Sequence, residues 1–373
     1  MTSNMVPLYS LADWKNGLAF KQIHFSTQGK PIIKIAELKN GVTSQTARTQ
    51  QEFDPAVHLT KGDMVFSWSG NPETSIDVFW YNLDDGWLNQ HIFKVTPKAG
   101  VDKQYLFYVL KWLKPRFTAI ASNKQTTGLG HVTVKDLKEL MVPLPELHEQ
   151  QAIGTYLSTI DAKIAVNEKI NDNLQQQVYA LFDSWFVSFD QTDGKMPADW
   201  REGTLGEITT ITSGKRPPMK QPTATTEVSI PLVGAASIMG FTNAVLYNEP
   251  ILVTGRVGTH GVVQRFQSPC WTSDNTLVIK SEFYEYAFQA LQRVDYVNMN
   301  RGSTQPLITQ TDLKNVSIVI PAEAILLEYE KIAGTLMAMY ESYRKENERL
   351  AVLRDTLLPR LMNGEIDVSD ISI

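Results

Sequence analysis

Patterns that resemble catalytic motifs occur at several places in the chain, and each lacks part of its motif. Residues 216–219 (RPPM) have the two prolines of the adenine methyltransferase tetrapeptide, but neither its Asn or Asp nor its aromatic residue. Gly214 and Lys215 lack the preceding glycine of a phosphate-binding loop. His148 and Glu149 begin like a zinc-binding helix, but no second histidine follows at the required spacing. None of these patterns predicts a working site.

Two acidic-x-Lys triplets, residues 37–39 (ELK) and 161–163 (DAK), match the end of many nuclease motifs. Neither follows a convincingly placed metal-binding aspartate, and such triplets arise by chance in almost any chain of this length. We therefore predict no catalytic centre. The alternative is a nuclease or methyltransferase whose motif is not recognised here.

Length and composition predict two globular domains with connecting elements. The chain has 373 residues, of which 43% are hydrophobic and 20% charged. It contains no apolar run of the roughly 18 residues that suggest a membrane span, and its first residues do not resemble a signal peptide. The expected localisation is cytoplasmic, with no membrane partner. The single cysteine, Cys270, excludes an intramolecular disulfide and is expected to be a small buried residue.

The net charge of −5 argues mildly against a protein that wraps nucleic acid unaided. Between residues 94 and 124, however, Asp102 is the one acidic residue among seven basic ones. These basic residues are Lys94, Lys98, Lys103, Lys111, Lys114, Arg116 and Lys124. Two interpretations stay open, a solvated helix surface and an electrostatic footprint for nucleic acid.

Two long amphipathic helices dominate the predicted architecture. Residues 145–186 contain no glycine after Gly154, and their apolar residues recur mostly at steps of three and four. At 1.5 Å per residue, such a helix would be about 60 Å long. A weaker copy covers residues 326–362, with a predicted apolar stripe of Ile332, Leu336, Met339, Tyr343, Leu350, Leu353, Leu357 and Leu361. Pairing the two stripes would bury both.

The two halves of the chain resemble each other. Thr133, Asp136, Leu137, Lys138 and Pro145 recur 176 residues later as Thr309, Asp312, Leu313, Lys314 and Pro321. Residues 87–95 (WLNQHIFKV) match residues 271–279 (WTSDNTLVI), and residues 31–35 (PIIKI) match residues 230–234 (IPLVG). A repeat of this length predicts two domains with approximate internal twofold symmetry, each followed by a long helix that runs antiparallel to the other.

Shorter elements can also be placed. Residues 31–35, 63–67 and 91–95 are predicted strands, and residues 104–114 are a predicted helix with Tyr105, Tyr108, Val109 and Trp112 on its apolar side. Residues 190–200 (DQTDGKMPADW) have the composition of a linker.

The helices carry the sequences that identify a family resemblance. Residues 145–186 contain the segments LSTIDAKI, NEKIN and LFDSWF, and the second helix ends with residues 353–366 (LRDTLLPRLMNGEI). The domain openings, residues 16–20 (NGLAF) and 213–217 (SGKRP), add to this pattern. Over essentially its whole length, the chain resembles the specificity subunit of a type I restriction-modification system.

This resemblance implies an α+β fold. Two mixed α/β target-recognition domains would be separated by two long antiparallel helices that form a coiled coil, in an internal pseudo-twofold repeat. The expected boundaries are residues 1–145 for the first recognition domain and 146–189 for the central helical spacer. Residues 190–321 would hold the linker and second recognition domain, and residues 322–373 the distal helical spacer.

The resemblance also implies a non-catalytic DNA-recognition subunit. Each domain would read one half of a bipartite double-stranded DNA target, and the helices would set the gap between the halves. Two modification subunits would supply S-adenosylmethionine and adenine methylation. Two restriction subunits would supply translocation and cleavage with ATP and Mg²⁺, and no cofactor is expected on this chain. The alternative function is a coiled-coil structural adaptor without DNA readout.

Candidate base-reading residues follow from the chemistry of the DNA major groove. Arg and Lys suit guanine, whereas Asn and Gln suit adenine. Matching polar segments before the repeated Thr-x-x-Asp-Leu-Lys motif supply Arg116, Asn123, Lys124, Gln125 and Thr126 in the first half, and Asn300, Arg301, Ser303, Thr304 and Gln305 in the second. Further candidates are Lys215, Arg216 and Arg256, followed by Trp68, Ser69 and Asn71. For each of them, an ordinary polar loop is the alternative; Trp87 and Trp271 are predicted to pack internally.

Overall fold

The computed structural model describes residues 4–125, 128–257, 261–299 and 307–367. The chain divides into two compact units, one formed by residues 1–166 and 346–373 and the other by residues 167–345. Both divisions fall inside the two long helices, so each unit contains a globular domain and part of each helix.

The globular part of the first unit is built around a four-stranded antiparallel sheet, to which smaller sheets are added. The strands of the whole domain are β1 (Asn4–Pro7), β2 (Ala12–Asn16), β3 (Lys30–Ile33), β4 (Arg48–Thr49), β5 (His58–Leu59), β6 (Met64–Ser67), β7 (Ser69–Gly70), β8 (Asp77–Trp80), β9 (Gly86–Leu88), β10 (Ile92–Pro97), β11 (Gly130–His131) and β12 (Met141–Leu144). The central sheet has the order β2-β10-β6-β8, a second sheet has the order β4-β3-β9-β5, and β1 pairs with β12 and β7 with β11.

Four short helices complete this domain: α1 (Ile35–Asn40), α2 (Lys103–Trp112), α3 (Lys114–Asn123) and α4 (Val134–Glu139). The predicted strand at residues 31–35 is therefore too long, because Ile35 already begins α1 and the carboxylate of Glu37 accepts the Lys34 amide at 3.0 Å. The predicted helix at residues 104–114 corresponds to α2, which ends two residues earlier, at Trp112, and a further helix, α3, begins at Lys114. Pro115 explains the restart, since it fits the first turn of α3 but could not continue α2.

The chain continues through the first long helix, α5 (Leu147–Phe186), into the second unit. The predicted linker, residues 190–200, contains only a 3-10 turn at Asp190–Thr192. The strands that follow are β13 (Arg201–Thr204), β14 (Thr210–Ser213), β15 (Ile230–Val233), β16 (Ile238–Thr242), β17 (Ile251–Gly255), β18 (Gln264–Phe266), β19 (Trp271–Thr272), β20 (Thr276–Lys280) and β21 (Ser317–Ile320). The helices are α6 (Leu205–Ile208), α7 (Tyr284–Gln292), α8 (Tyr296–Met299), α9 (Gln310–Lys314) and the second long helix, α10 (Glu323–Met362).

The sheet topology confirms the internal repeat. The central sheet of the second unit has the order β14-β20-β17-β18, which corresponds strand by strand to β2-β10-β6-β8. The parallel pair of β15 with β19 repeats that of β3 with β9, and the pair of β13 with β21 repeats that of β1 with β12.

The repeated Thr-x-x-Asp-Leu-Lys motif has a simple structural cause. In α4, the Thr133 amide donates to the Asp136 carboxylate at 2.7 Å, while the Asp136 amide donates to the Thr133 hydroxyl at 3.3 Å. Thr309 and Asp312 form the same reciprocal cap on α9, at 2.9 and 3.2 Å. Both motifs are capping boxes, which satisfy amides that a helix start leaves unpaired.

The long helices form part of the core of each domain. In the first unit, α5 buries Ile153, Leu157 and Ile160, while α10 buries Leu361 and Met362. In the second unit, α5 buries Val178, Phe182 and Phe186 in one cluster with Leu326, Tyr329, Ala333 and Met337 of α10. Each domain therefore rests on the apolar faces of both helices.

Contacts within each unit show that the helices run antiparallel. In the first unit, Asp161 binds Arg354, whereas Ile164 accepts a hydrogen bond from Asn347. In the second unit, the Phe186 ring packs 5.1 Å from Tyr329, whereas Tyr179 and Met337 line a common cavity. The expected antiparallel pairing is confirmed in both units.

The predicted apolar stripe of the second helix is partly wrong. Ile332, Met339 and Leu353 are exposed, with 38%, 44% and 43% of their surface accessible. Apolar residues lie on more than one face of α10. The face that packs against the aromatic residues of α5 is the one that carries Tyr329. Phe182, Trp185 and Phe186 all pack against that ring. In the part of the chain that the structure describes, no helix is long and apolar enough to cross a membrane.

Candidate nucleic-acid interface

In the first unit, one end of the central sheet gathers polar residues from separate parts of the chain. Strands β2 and β6 end at Asn16 and Ser67, and β10 begins beside them, with Ile92 opposite Ser67 and Phe93 opposite Asn16. Because these strands are antiparallel, their neighbouring residues Trp68, Gln90 and His91 lie at the same end. We call this group the first sheet end.

Trp68 is fixed at the first sheet end by several contacts. Its indole N–H donates to the Asn16 side-chain oxygen at 2.9 Å, and its ring lies 5.6 Å from His91 and 5.8 Å from Phe93. Its amide donates to the His91 carbonyl at 3.2 Å, and its carbonyl accepts the Val132 amide at 2.8 Å. The sheet therefore fixes both the backbone and the ring of this residue.

Two candidate segments that are distant in sequence meet here. Strand β7 pairs with β11, which places Ser69 opposite His131. Gly130 lies so close to α3 that a Cβ atom would be 2.3 Å from the Ala121 carbonyl oxygen. Helix α3 ends at Asn123, and the Gln125 amide still donates to the Ser122 carbonyl, at 3.3 Å. The segment with Trp68 and Ser69 is thus joined to the segment with Asn123 and Gln125.

Lys124 is tied to the domain by an ion pair. Its ammonium lies 2.5 and 2.6 Å from the two oxygens of Asp136, the capping residue of α4. Burial raises the pKa of Asp136, but the hydrogen bonds from Lys124 and Thr133 outweigh it and hold the pKa below its usual range. This geometry favours a positioning role for Lys124 at the start of the loop that follows α3.

Four of the seven basic residues at positions 94–124 pair with acidic residues from outside that window. Lys94 binds Asp63 at 2.8 Å, and Lys111 and Lys114 bind Asp77 at 3.0 and 2.6 Å. These acids come from outside the run, so the sequence window did not contain them. Burial raises the pKa of Asp77, but the two lysines outweigh it and keep the carboxyl ionised at a lower pKa than usual. Arg116 is exposed, with its guanidinium 5.6 Å from the Trp112 ring.

The second unit has an equivalent arrangement, which we call the second sheet end. The Arg256 amide donates to the Asn275 carbonyl at 2.8 Å, and its carbonyl accepts the Ile308 amide at 3.0 Å. Val257 then pairs with Leu307, as Ser69 pairs with His131. Arg256 therefore occupies the place that Trp68 holds in the first unit, and Asn275 occupies the place of His91.

In both domain openings, the backbone of a glycine lies very close to the backbone of another segment. A Cβ atom on Gly17 would lie 2.1 Å from the Asn89 carbonyl oxygen, and one on Gly214 would lie 2.1 Å from that of Ser273. Only glycine fits at these places. Lys215 and Arg216 follow Gly214 and are exposed, and the Lys215 carbonyl accepts the Trp271 indole N–H at 2.8 Å.

The remaining predicted residues divide into three groups. Asn71 caps its own turn, with its side-chain oxygen 3.0 Å from the Glu73 amide. Trp87 is buried, with 2% of its surface exposed, which confirms internal packing, and Trp271 is half-buried. Six candidates lie outside the described residues: Thr126, Asn300, Arg301, Ser303, Thr304 and Gln305.

Sequence reasoning missed several residues at the sheet ends. Asn16, His91 and His131 belong to the first sheet end, and Asn275 and Gln310 to the second, where the Gln310 amide lies 2.9 Å from the Ser213 hydroxyl. The repeat contained the signal for one pair. His91 follows Trp87 at the same distance as Asn275 follows Trp271, so the aligned segments already placed them together.

The acids of the two nuclease-like triplets have structural partners. Glu37 caps α1 and accepts the Thr46 hydroxyl at 3.1 Å. Asp161 accepts the Tyr108 hydroxyl at 2.6 Å and the Arg354 guanidinium at 2.7 Å. Across the described ranges, no cluster of three or more His, Cys, Asp or Glu side chains is placed to hold a metal ion. Cys270 is buried, as predicted, and burial raises the pKa of its thiol to about 11.

Comparison with known proteins gives a consistent match. The family model described as type I restriction modification DNA specificity domain matches residues 2–176 and 197–354. The MjaIX specificity subunit of Methanocaldococcus jannaschii is 25% identical over 319 residues, covering 76% of this chain and 73% of that protein. The MjaVIII specificity subunit of the same organism is 24% identical over 384 residues, covering 92% and 87%.

One solved structure supports the fold. The crystal structure of a type I restriction-modification S subunit from M. genitalium has a TM-score of 0.62 and 20% identity, covering 97% of this chain and 96% of that one. The likeness extends over both units and the long helices.

Proposed function

The chain belongs to the type I restriction modification DNA specificity domain family, and on that premise we infer that it is a non-catalytic subunit that gives DNA sequence specificity. The family model matches both domains, which does not favour a structural adaptor without DNA readout. The chain works with the other components of a restriction-modification system on DNA.

The observation that carries the mechanism is the repetition of the sheet end. Each domain presents one group of residues on equivalent backbone positions, and the side chains differ between the two: Trp68 and His91 in one, Arg256 and Asn275 in the other. Two similar readers with different side chains are what a target with two unlike halves requires. We propose that each domain reads one half of a bipartite duplex target.

We propose that the DNA contacts come from the loops around these sheet ends. In the first domain they are Arg116, Asn123, Gln125 and Thr126, with Lys124 contributing through its hold on the loop. In the second domain they are Lys215, Arg216, Arg256, Asn300, Arg301, Ser303, Thr304 and Gln305. The Arg and Lys residues of these loops would also neutralise DNA phosphates. The chain as a whole has a net charge of −5 and does not favour phosphate binding.

We propose that the chain assembles with two kinds of partner subunit. Two modification subunits would dock on the helices and supply S-adenosylmethionine and adenine methylation. Two restriction subunits would supply ATP- and Mg²⁺-dependent translocation and cleavage. The chain itself would bind none of these cofactors.

Footprinting tests this function directly. The chain is mixed with its modification subunits and with DNA that carries the methylated motif found by methylation-aware sequencing of the host. We expect two short protected blocks that flank an unprotected gap, because each domain covers one half-site. The same DNA with one half-site scrambled is the matched control and should lose both blocks at limiting protein. A structural adaptor would give no sequence-dependent protection.

A further inference from the structure

One residue position makes the same backbone hydrogen bonds in both domains but has a different side chain in each. It is the residue directly after the third strand of the central sheet, Trp68 after β6 and Arg256 after β17. In both domains its amide donates to a strand-end carbonyl, and its carbonyl accepts the amide that precedes the α4 or α9 capping box. Because bonds from two sides hold the backbone, this position belongs to the rigid sheet, and rigid positions suit precise recognition.

Arg256 differs from three other arginines of the second unit, which have acidic partners. Arg201 pairs with Glu207, Arg265 with Glu285 and Arg293 with Asp183. Among the described residues, Arg256 has neither an acidic partner nor a side-chain hydrogen bond, although its side chain is half-buried. A guanidinium offers donors in a fixed fork, which matches the O6 and N7 acceptors of guanine in the major groove.

Trp68 offers the opposite chemistry. Its one side-chain donor, the indole N–H, is already bonded to Asn16. The ring remains available at this position, and it packs near His91 and Phe93. An apolar ring cannot read the guanine acceptors, but it can contact the methyl group of thymine.

We propose that this shared position determines one base pair in each half-site. Arg256 reads a guanine in the second half-site, and Trp68 contacts a thymine methyl group in the first. The inference rests on the proposed function and adds to it a residue and a base for each domain.

The test uses the complete chain assembled with its modification subunits, S-adenosylmethionine and a DNA library randomised within both half-sites. Methylated products are sequenced for the wild type, R256Q and R256K. We expect R256Q to lose its preference for guanine at one position of the second half-site by about 10-fold to 100-fold, while the first half-site stays unchanged. R256K should keep a weaker guanine preference, because a lysine still donates to guanine but lacks the fork.

Matched variants separate reading from general effects. R201Q removes an exposed arginine of the same unit that is already paired with Glu207, and it should leave both half-sites unchanged. W68L should weaken the preference for thymine at one position of the first half-site and leave the second unchanged.

Two results would overturn the inference. One is an unchanged motif with active R256Q. The other is an even loss across all sequences with a reduced salt dependence, which would make Arg256 a phosphate contact. Failure of the proposed function would show in the wild type instead, as methylation that does not depend on this chain or as a target without two halves. If R256Q does not assemble, R256K provides the test. A guanine preference in R256K as strong as that of the wild type would overturn the proposal.

Discussion

Single residues at equivalent positions anchor each domain to its long helix, with different chemistry. In the first unit, buried Gln150 of α5 accepts the Asp102 amide before α2 at 2.9 Å and donates to the carbonyls of Gly100 and Pro145. In the second unit, Glu330 of α10 accepts the amides of Glu285 and Tyr286 in α7 at 3.0 and 2.8 Å. An amide does in one domain what a carboxylate does in the other, so only the second anchor can titrate.

Glu330 should make the stability of the second unit depend on pH. Burial raises its pKa to about 7, and the two backbone amides offset this only in part. Between about pH 4.5 and pH 7, the folded unit holds a proton that the unfolded chain has released. The free energy of unfolding should therefore fall as pH rises through this window, by on the order of 3 kcal/mol. Calorimetry at several pH values measures this slope, and E330Q should flatten it.

The reciprocal variant is the control. Q150E places a carboxylate at the equivalent site of the first unit and should introduce a similar slope there. An E330Q variant with an unchanged pH slope would show that another group titrates.

At the scale of elements, much of the fold was readable from the sequence. The helix bounds follow from an uninterrupted apolar period, and the capping boxes explain why Thr133 and Asp136 recur as Thr309 and Asp312. The sheet ends were only partly predictable, because Asn16 and Trp68 meet through strand pairing across distant segments. The partners of Lys111 and Lys114 were missed for the same reason, since Asp77 lies outside the local window.

Arg293, directly after α7, joins that helix to α5. Arg293 donates to Asp183 through Nε and Nη2 at 3.0 and 2.8 Å, and its guanidinium lies 3.9 Å from the Tyr179 ring. R293K keeps the charge but loses the planar fork and the stacking. We expect the melting temperature of the second unit to fall by about 2–4 °C, as for a loss of about 1 kcal/mol. A variant at the exposed pair, K280Q, should have a smaller effect.

An unchanged melting temperature in R293K would mean that charge alone holds this junction. A double-mutant cycle with D183N then measures the coupling between the two side chains, which the two hydrogen bonds to Asp183 Oδ1 predict to be favourable.

At the scale of the whole molecule, the long helices are the parts that both units share. The unit boundaries fall between Val166 and Asn167 in α5, and between Lys345 and Glu346 in α10. Helical residues inserted at both places would leave the contacts inside each unit intact. The proposed function can therefore be tested without changing either domain.

A matched insertion of one helical turn at both places should change the DNA target in one respect. Four residues add about 6 Å to a helix, which corresponds to about two base pairs of B-DNA. Methylation-aware sequencing should find the same two half-site sequences with a longer gap. An insertion in α5 alone, which shifts its pairing with α10, is the control and should reduce activity. Altered half-sites, or an unaltered gap, would contradict the role of the helices as a spacer.

The same division has a consequence for the order of folding during synthesis. The second unit is one continuous segment, residues 167–345, whereas the first needs residues 346–373 in addition to residues 1–166. Leu361 and Met362 lie in the core of the first unit, among residues that the ribosome makes much earlier. The second unit can therefore complete its core first, whereas the core of the first unit is complete only when the end of α10 has been made. Substitutions in the part of α10 after Lys345 should therefore destabilise the first unit, although its globular domain is N-terminal.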